Sequence, residues 1–423
     1  MTKQKASNIR WFVFGVIFLL VVINLIDRIS LSIAMPTIAK EFDLSPTTQG
    51  LILSSFFWAY ALLQIPGGWL IDKYGPRKII TGSTVLWGIF QTLAAFATGG
   101  ISLLLTRFML GAAEAPLFPS GGKLNATWLS SQERGRGAVI MDCGGPLGAA
   151  LGGIIIAYMI ASIGSWRTVF AIAGIATILL GFVSWKFLRD TPQEHKLVNK
   201  EELALIELSH SCSQSAVDSE PVSKGIGVPF GSLAAILCGR AAWAMMFFGL
   251  LTWGPSYLAQ ARGFDIKGIG NATFIIFLCG TFGSLCGGFL SDTLVKKGVA
   301  QRIAVKTVLT VSGISTLIAF SLLPKMNDPI VAIATLSVAA FFLMWGSLYW
   351  SFPALIAPKS KVGIVGGIMN MAGSVGGIVV PILVGFILAQ TNKNYDNVLL
   401  FFAGCSLVYI LGTLSIKLSK QDK

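Results

Sequence analysis

Gly67-Gly68-Trp69-Leu70-Ile71-Asp72-Lys73-Tyr74-Gly75-Pro76-Arg77-Lys78 decides the fold, because its pattern occurs twice. The second copy is Gly287-Gly288-Phe289-Leu290-Ser291-Asp292-Thr293-Leu294-Val295-Lys296-Lys297-Gly298. Each is a G-x-L-x-D pattern followed by glycine and bases, and each follows a long apolar run. A surface turn explains one copy. Two copies at equivalent places imply that the chain is built from two related halves.

Outward from these stretches, apolar runs of about 20 residues recur along nearly the whole chain, each long enough to cross a hydrocarbon core of about 30 Å. Of 423 residues, 54% are hydrophobic and 12% charged. A soluble domain carries roughly 25% charged residues, so there is too little charge here to cover a water-facing surface. Twelve spans are expected, starting near Trp11, Thr47, Ile79, Ile101, Gly135, Trp166, Leu233, Gly268, Ile303, Asn327, Val362 and Asn397. The expected fold class is an all-α membrane protein, with twelve transmembrane helices in two pseudo-symmetric six-helix bundles. The expected divisions are an N-terminal bundle over 1–188, a cytoplasmic linker over 189–228 and a C-terminal bundle over 229–423. The linker holds Pro192, Glu201, Glu202, Glu207, Asp218, Glu220 and Pro221, with a short amphipathic helix expected near Lys200 to Ser209.

The net charge of +13 would suggest nucleic acid in a soluble protein, but its placement points to topology. Basic residues gather in alternate loops: Lys3, Lys5 and Arg10; Lys73, Arg77 and Lys78; Arg134 and Arg136; Lys296, Lys297, Arg302 and Lys306; Lys359 and Lys361; Lys417, Lys420 and Lys423. The other loops carry only scattered Lys40, Arg167, Arg262, Lys267, Lys325 and Lys393. That asymmetry places both termini in the cytoplasm, and no nucleic-acid partner is expected. Cys143, Cys238, Cys279, Cys286 and Cys405 lie in or near apolar segments and Cys212 in the linker, with no metal-binding spacing. The two histidines, His195 and His210, both lie in the linker. With no nucleophile–base pair, metal cluster or phosphate loop, no catalytic residue, metal or cofactor is expected. The first span contains Asp27 and Arg28 and no small-residue cleavage site, so no cleavable signal is expected.

Ionisable residues inside spans cost about 2.5–3.5 kcal/mol each at the bilayer centre, which makes them functional candidates. They are Asp27 and Arg28 in the first span, Arg107 and Glu114 in the fourth, and Asp142 in the fifth. Arg107 and Glu114 are two helical turns apart and share a face. Asp27 and Arg28 point about 100° apart, so one can face the fourth span while the other faces a central cavity. An Arg fork binds a carboxylate bidentately, and a carboxyl in a low-dielectric cavity exchanges protons near neutral pH. The alternative is that these charges only tie helices together.

The duplicated loop pattern resembles that of the major facilitator superfamily over essentially the full chain. A parallel repeat of this kind builds two lobes around one central site. Its glycines let helices approach closely, and Asp72 can stabilise a helix N-terminus or pair with a cytoplasmic Arg. Asn24-Leu25-Ile26-Asp27-Arg28 with Ser30-Leu31 resembles the first helix of the anion:cation symporter family. Tyr60 with Gln64-Ile65-Pro66-Gly67-Gly68 is similar to its second helix. Arg107 with Gly111-Ala112-Ala113-Glu114-Ala115-Pro116 and Phe118-Pro119 is similar to its fourth, Trp350 to its tenth, and Gly366-Gly367-Ile368-Met369-Asn370 with Gly373, Gly376 and Gly377 to its eleventh. That family includes bacterial galactonate, glucarate and hexuronate carriers and is related to vesicular glutamate and sialic acid transporters.

The resemblance implies substrate binding by Arg28, with Tyr60 and Asn370 hydrogen-bonding and Trp350 as an apolar wall; Ser374 and Tyr349 are further lining candidates. It implies protonation at Asp27 and Glu114, modulated by Arg107. Asp72, Arg77 and Asp292 would serve gating. Asp142 is an acid outside the family pattern, a partner for Lys123 or part of a gate. Two departures remove hydrogen-bonding groups: Leu25 stands where sugar-acid carriers tend to have Tyr, and Gly145, beside Pro146, where they tend to have Gln.

The expected function is proton-coupled uptake of a small organic anion by alternating access, with sugar acids first and a less hydroxylated or aromatic carboxylate second. A drug exporter on the same fold, a transporter-like receptor and facilitated diffusion are the rivals. Protons and the lipid bilayer are the expected partners, a monomer the expected state, and a bacterial inner membrane the expected location.

Overall fold

The computed structural model describes residues 6–130, 132–217, 228–357 and 362–416. Lys3, Lys5, Asp218, Glu220, Pro221, Lys359, Lys361, Lys417, Lys420 and Lys423 lie outside the described residues. The helices, in chain order, are α1 (Ile9–Glu41), α2 (Pro46–Tyr74), α3 (Pro76–Ala94), α4 (Gly100–Glu114), α5 (Leu117–Trp128), α6 (Arg134–Ile163), α7 (Trp166–Phe187) and α8 (Lys200–Val217), followed by α9 (Phe230–Arg262), α10 (Ile266–Lys296), α11 (Gln301–Leu322), α12 (Pro329–Leu343), α13 (Phe352–Ile356), α14 (Val362–Gln390) and α15 (Tyr395–Ser415). Each expected span start falls within three residues of an observed helix start. Among the described residues, eleven helices are long and apolar enough to cross a membrane; α3, with 19 residues, supplies the twelfth span. The linker helix α8 runs to Val217, beyond the expected Ser209.

Both halves obey the duplicated pattern in three dimensions. Gly75 has φ +87° and Gly298 φ +90°, a conformation that side chains with a Cβ rarely tolerate. The motif's first glycine also acts alike in each copy. Gly67 sits against Pro116, at the break between α4 and α5, and Gly287 sits against Trp345, in the 3₁₀ segment Met344–Ser351 that continues α12. The fourth and tenth spans are therefore both interrupted, and a repeat glycine packs at each interruption.

Grouped by contact, the chain forms two compact units that differ from the two sequence halves. The first comprises Met1–Asp27, Trp58–Gly148 and Ser165–Pro221; the second comprises Arg28–Phe57, Ala149–Gly164 and Val222–Lys423. The boundary thus passes between Asp27 and Arg28, and α1, α2 and α6 each contribute to both units.

In the first unit, close helix contacts are made where side chains vanish. A Cβ at Gly88 would lie 2.7 Å from the Gly174 carbonyl oxygen, so α3 and α7 touch backbone to backbone. Gly144 and Gly148 of α6 receive Val21 and Leu25 of α1 in the same way. At the start of α1, Arg10 ties three segments together. Its guanidinium pairs with Glu133 at 2.9 Å and with Glu202 of α8 at 2.9 Å. Glu202 is fully buried and also accepts from Ser7 Oγ and from the main-chain N–H groups of Ile9 and Arg10.

In the second unit, α2 and α14 meet through small residues: Gly50 abuts the Pro381 carbonyl, Gly385 abuts the Pro46 carbonyl, and Ser54 Oγ donates to the Ile378 carbonyl at 2.6 Å. Gly153 and Ala157 of α6 meet Thr273 and Gly270 of α10. Tyr349 Oη and Thr413 Oγ1 share a hydrogen bond of 2.8 Å in the core of this unit.

Candidate functional site

An acid cluster lies inside the first unit. Asp27 is 1% exposed, Arg107 2% and Glu114 0%. Asp27 Oδ2 accepts from Trp87 Nε1 at 2.9 Å and from Thr177 Oγ1 at 2.8 Å. Local sequence explains the convergence. Trp87 precedes Gly88 on α3 and Thr177 follows Gly174 by three residues on α7, so the backbone contact that those glycines permit brings both donors onto one carboxylate. Arg107 Nη1 donates to the Asp27 main-chain carbonyl at 3.2 Å, and its guanidinium carbon lies 5.6 Å from the Phe170 ring centroid. Arg107 lies within electrostatic reach of both Glu114 and Asp27. Two acids, one guanidinium and two neutral donors thus share a dry interior, where the charge state of each acid sets the energy of the others.

A second cluster, of cations and rings, lies inside the second unit. The Arg28 guanidinium carbon is 4.4 Å from the Phe56 ring centroid. From Phe56 a string of rings continues through Phe57 (5.2 Å), Phe248 (4.7 Å) and Phe247 (5.2 Å) to Trp243 (5.4 Å). The string ends in another guanidinium, Arg240, 4.2 Å from the Trp243 ring and 5.4 Å from that of Trp350. Arg240 is 8% exposed. On α14, a Cβ at Gly373 would lie 3.4 Å from Arg240 Nε, and Asn370 and Ser374 flank that glycine on the same helix.

Of the residues singled out from sequence, Asp27, Arg107 and Glu114 are brought together in one buried cluster. Arg28 is half-buried against an aromatic face, and Trp350, 45% exposed, lies beside a cation. Asn370 is half-buried and Ser374 buried; Tyr60 is buried on α2 in the first unit. Tyr349 is a correction. It is fully buried, its hydroxyl is engaged with Thr413, and it fills the space left by Gly239, so it is a core residue and not a lining one.

The motif residues also differ from expectation. Asp72 pairs with Lys123 at 2.9 Å, both well exposed, and not with an arginine. Lys123 is therefore not the partner of Asp142, which is half-buried on α6. The Arg77 main-chain N–H donates to Asp190 at 2.7 Å, and its guanidinium lies 3.9 Å from the Trp185 ring centroid while donating to the Trp185 carbonyl. Asp292 is exposed near the end of α10. Sequence reasoning missed Arg240, Trp87, Thr177 and Phe56. Arg240 had a signal, an arginine within an apolar run. The other three are neutral residues that look like any membrane side chain.

Two halves of apolar spans, with the fourth and tenth interrupted, define a multi-pass helical membrane protein. The chain belongs to the Major Facilitator Superfamily, whose family model matches residues 17–381. It is 33% identical to a protein of Escherichia coli K12 named "Probable galactarate/D-glucarate transporter", over 96% of this chain and 93% of that one. It is 31% identical to the D-galactonate transporter of Escherichia coli O6:H1, over 100% and 98%. Among solved structures, a bacterial homolog of the human lysosomal transporter Spinster, inward-facing and unoccupied, matches with TM-score 0.70 at 18% identity, over 96% of this chain and 95% of that one. This last likeness concerns the fold.

Proposed function

We propose that the protein is a proton-coupled symporter that takes up a sugar acid of the hexonate, hexuronate or aldarate type across a bacterial inner membrane, both termini being cytoplasmic. The observation that carries this reading is the pair Asp27–Arg28. Adjacent in sequence, they fall in different compact units: the acid lies in a buried cluster with Arg107 and Glu114, and the cation lies on an aromatic face. A substrate anion at Arg28 and a proton at Asp27 are then held by neighbouring residues of one helix, so that each charge biases the other. The names carried by relatives at 31–33% identity support the sugar-acid class.

In this mechanism Asp27 and Glu114 take up protons, Arg28 captures the carboxylate, and the neutralised site crosses a dry, occluded state at lower cost. Inside, substrate and protons leave and the empty carrier returns. The close α2–α14 and α6–α10 contacts are read as the outer gate in its closed form, and the Asp72–Lys123 pair and Arg77 as parts of the cytoplasmic one.

A second reading, a less hydroxylated carboxylate, is favoured by α6. A Cβ at Gly145 meets no atom within 4 Å, and Leu25 is buried against Gly148. Two places at which sugar-acid carriers tend to present polar groups therefore present none. The test is uptake of labelled D-glucarate, D-galactonate and benzoate into proteoliposomes under an inward proton gradient. Accumulation of either sugar acid supports the first reading, and of benzoate alone, in excess of that in protein-free liposomes under the same gradient, the second; no such accumulation of any contradicts both.

A further inference from the structure

Arg240 belongs to neither the proton cluster nor the repeated motif, and its position demands a reason. It is the eleventh residue of α9, about 15 Å along the helix axis from its start, and a guanidinium that deep is costly to insert. Its charge is held against ring faces, 4.2 Å from Trp243 and 5.4 Å from Trp350. An arginine laid on an aromatic face keeps its N–H donors radiating in the guanidinium plane, where they match a planar acid group. Arg28 is held in the same manner, on Phe56. The two cations thus cap opposite ends of one continuous string of rings in one compact unit.

The string also sets a scale. On α9, Arg240 and the Phe247–Phe248 pair that leads to Arg28 are two helical turns apart, about 10–12 Å along the axis. With five rings between them along the string, the two cations offer separate places to two acid groups on one substrate.

We propose that Arg240 is a second anion-binding residue, and that the carrier selects substrates with two acidic groups, one for each guanidinium. Asn370 and Ser374, flanking the Gly373 against which Arg240 packs, place neutral hydrogen-bonding groups on the same stretch of α14. This deepens the sugar-acid reading and rests on it, choosing the aldarate over the aldonate. The competing role for Arg240 is a structural pin between α9 and Trp350, which would affect every substrate alike.

The experiment is equilibrium binding to the purified full-length protein, using D-glucarate as the two-acid probe and D-gluconate as its one-acid counterpart. The proteins compared are the wild type, Arg240→Gln and Arg240→Lys. The wild type is expected to bind D-glucarate more tightly. Arg240→Gln should weaken D-glucarate by about ten- to hundredfold, the size of a lost charge-assisted contact, and leave D-gluconate within about twofold. Arg240→Lys keeps the charge without the planar fork and should weaken D-glucarate by less, again sparing D-gluconate. If Arg240→Gln shows no cooperative melting, the lysine variant decides the matter. Equal losses for both probes, no loss for either, or no wild-type preference for D-glucarate would overturn the proposal while leaving the sugar-acid reading intact. A wild type that binds neither probe overturns both.

Discussion

Trp87 on α3 and Thr177 on α7 donate to the same oxygen of Asp27, at 2.9 and 2.8 Å. Two neutral donors from two helices therefore fix one carboxyl in a site that excludes water. Removing either leaves a buried acceptor short of a partner, which costs about 1–3 kcal/mol. Trp87→Phe and Thr177→Val should each lower the melting temperature of the purified protein. The double variant should not simply sum them, because both act on one atom. Thermal unfolding of the four proteins checks this; two silent single variants would contradict it.

Arg10, Glu133 and Glu202 predict a pH window for docking of the linker helix. Burial alone would raise both carboxyls, but hydrogen bonds outweigh it: from Arg10 and Ser130 to Glu133, and from Ser7, Arg10 and Ile9 to Glu202. Both therefore lie below the ordinary value of 4.5. A depressed folded-state value means stability that is complete above about pH 4.5 and is lost as pH falls through the lowered values. Melting temperature should drop across that acid range in the wild type and show a flatter acid limb in Glu202→Gln. At neutral pH the variant should be less stable by about 1.5–3 kcal/mol, because Arg10 keeps Glu133 but loses its charge-assisted bond to Glu202. Hydrogen exchange across α8 reports the docking directly.

Gly145 and Gly148 lie one turn apart on α6 and make opposite predictions. A Cβ at Gly145 meets open space, whereas one at Gly148 would lie 2.8 Å from Leu25 Cβ. Gly148→Ala should cost about 1–3 kcal/mol through overpacking, and Gly145→Ala should be neutral or stabilising by about 0.5–1 kcal/mol. Paired unfolding measurements separate the two. Gly145→Gln should fold and tighten binding of polyhydroxylated acids relative to benzoate, since it restores a hydrogen-bonding side chain in free room.

Gly50 faces the Pro381 carbonyl with no room for a side chain. Gly50→Val should force α2 from α14 and shift the carrier away from the state with this contact closed. Labelling of a cysteine placed at Ser54 by a membrane-impermeant reagent should then rise several-fold over the same cysteine in the Gly50 background. Unchanged labelling would mean that this contact is not a gate.

Which parts of this were visible in sequence follows from how each signal is carried. The span starts and the repeat were legible because long apolar runs and a twelve-residue echo survive any packing. Asp27, Arg107 and Glu114 were legible because a charge in an apolar run is rare, and two of them share a helical face. Arg240 obeys the same logic but lies only seven residues beyond the expected span start at Leu233, where it reads as a loop-end cation. Trp87 and Thr177 were invisible, since nothing local marks a tryptophan or threonine as a carboxylate's partner; the Gly88–Gly174 contact that unites them is tertiary. Tyr349 failed for the converse reason. Its sequence place beside Trp350 says nothing of direction, and in the 3₁₀ segment neighbouring side chains diverge, one toward Thr413 and the other toward Arg240.

The coupling of Arg28 to the Asp27–Glu114 acids is tested most directly by following protons while substrate enters. D-Glucarate is added outside proteoliposomes that contain the purified protein, a weak buffer and a trapped pH dye, with no gradient imposed. The lumen should acidify as the anion enters; Arg28→Ala should abolish both entry and acidification, and Glu114→Gln should abolish acidification while sparing exchange of labelled for unlabelled D-glucarate. Entry of D-glucarate with no lumenal pH change in the wild type would contradict the account.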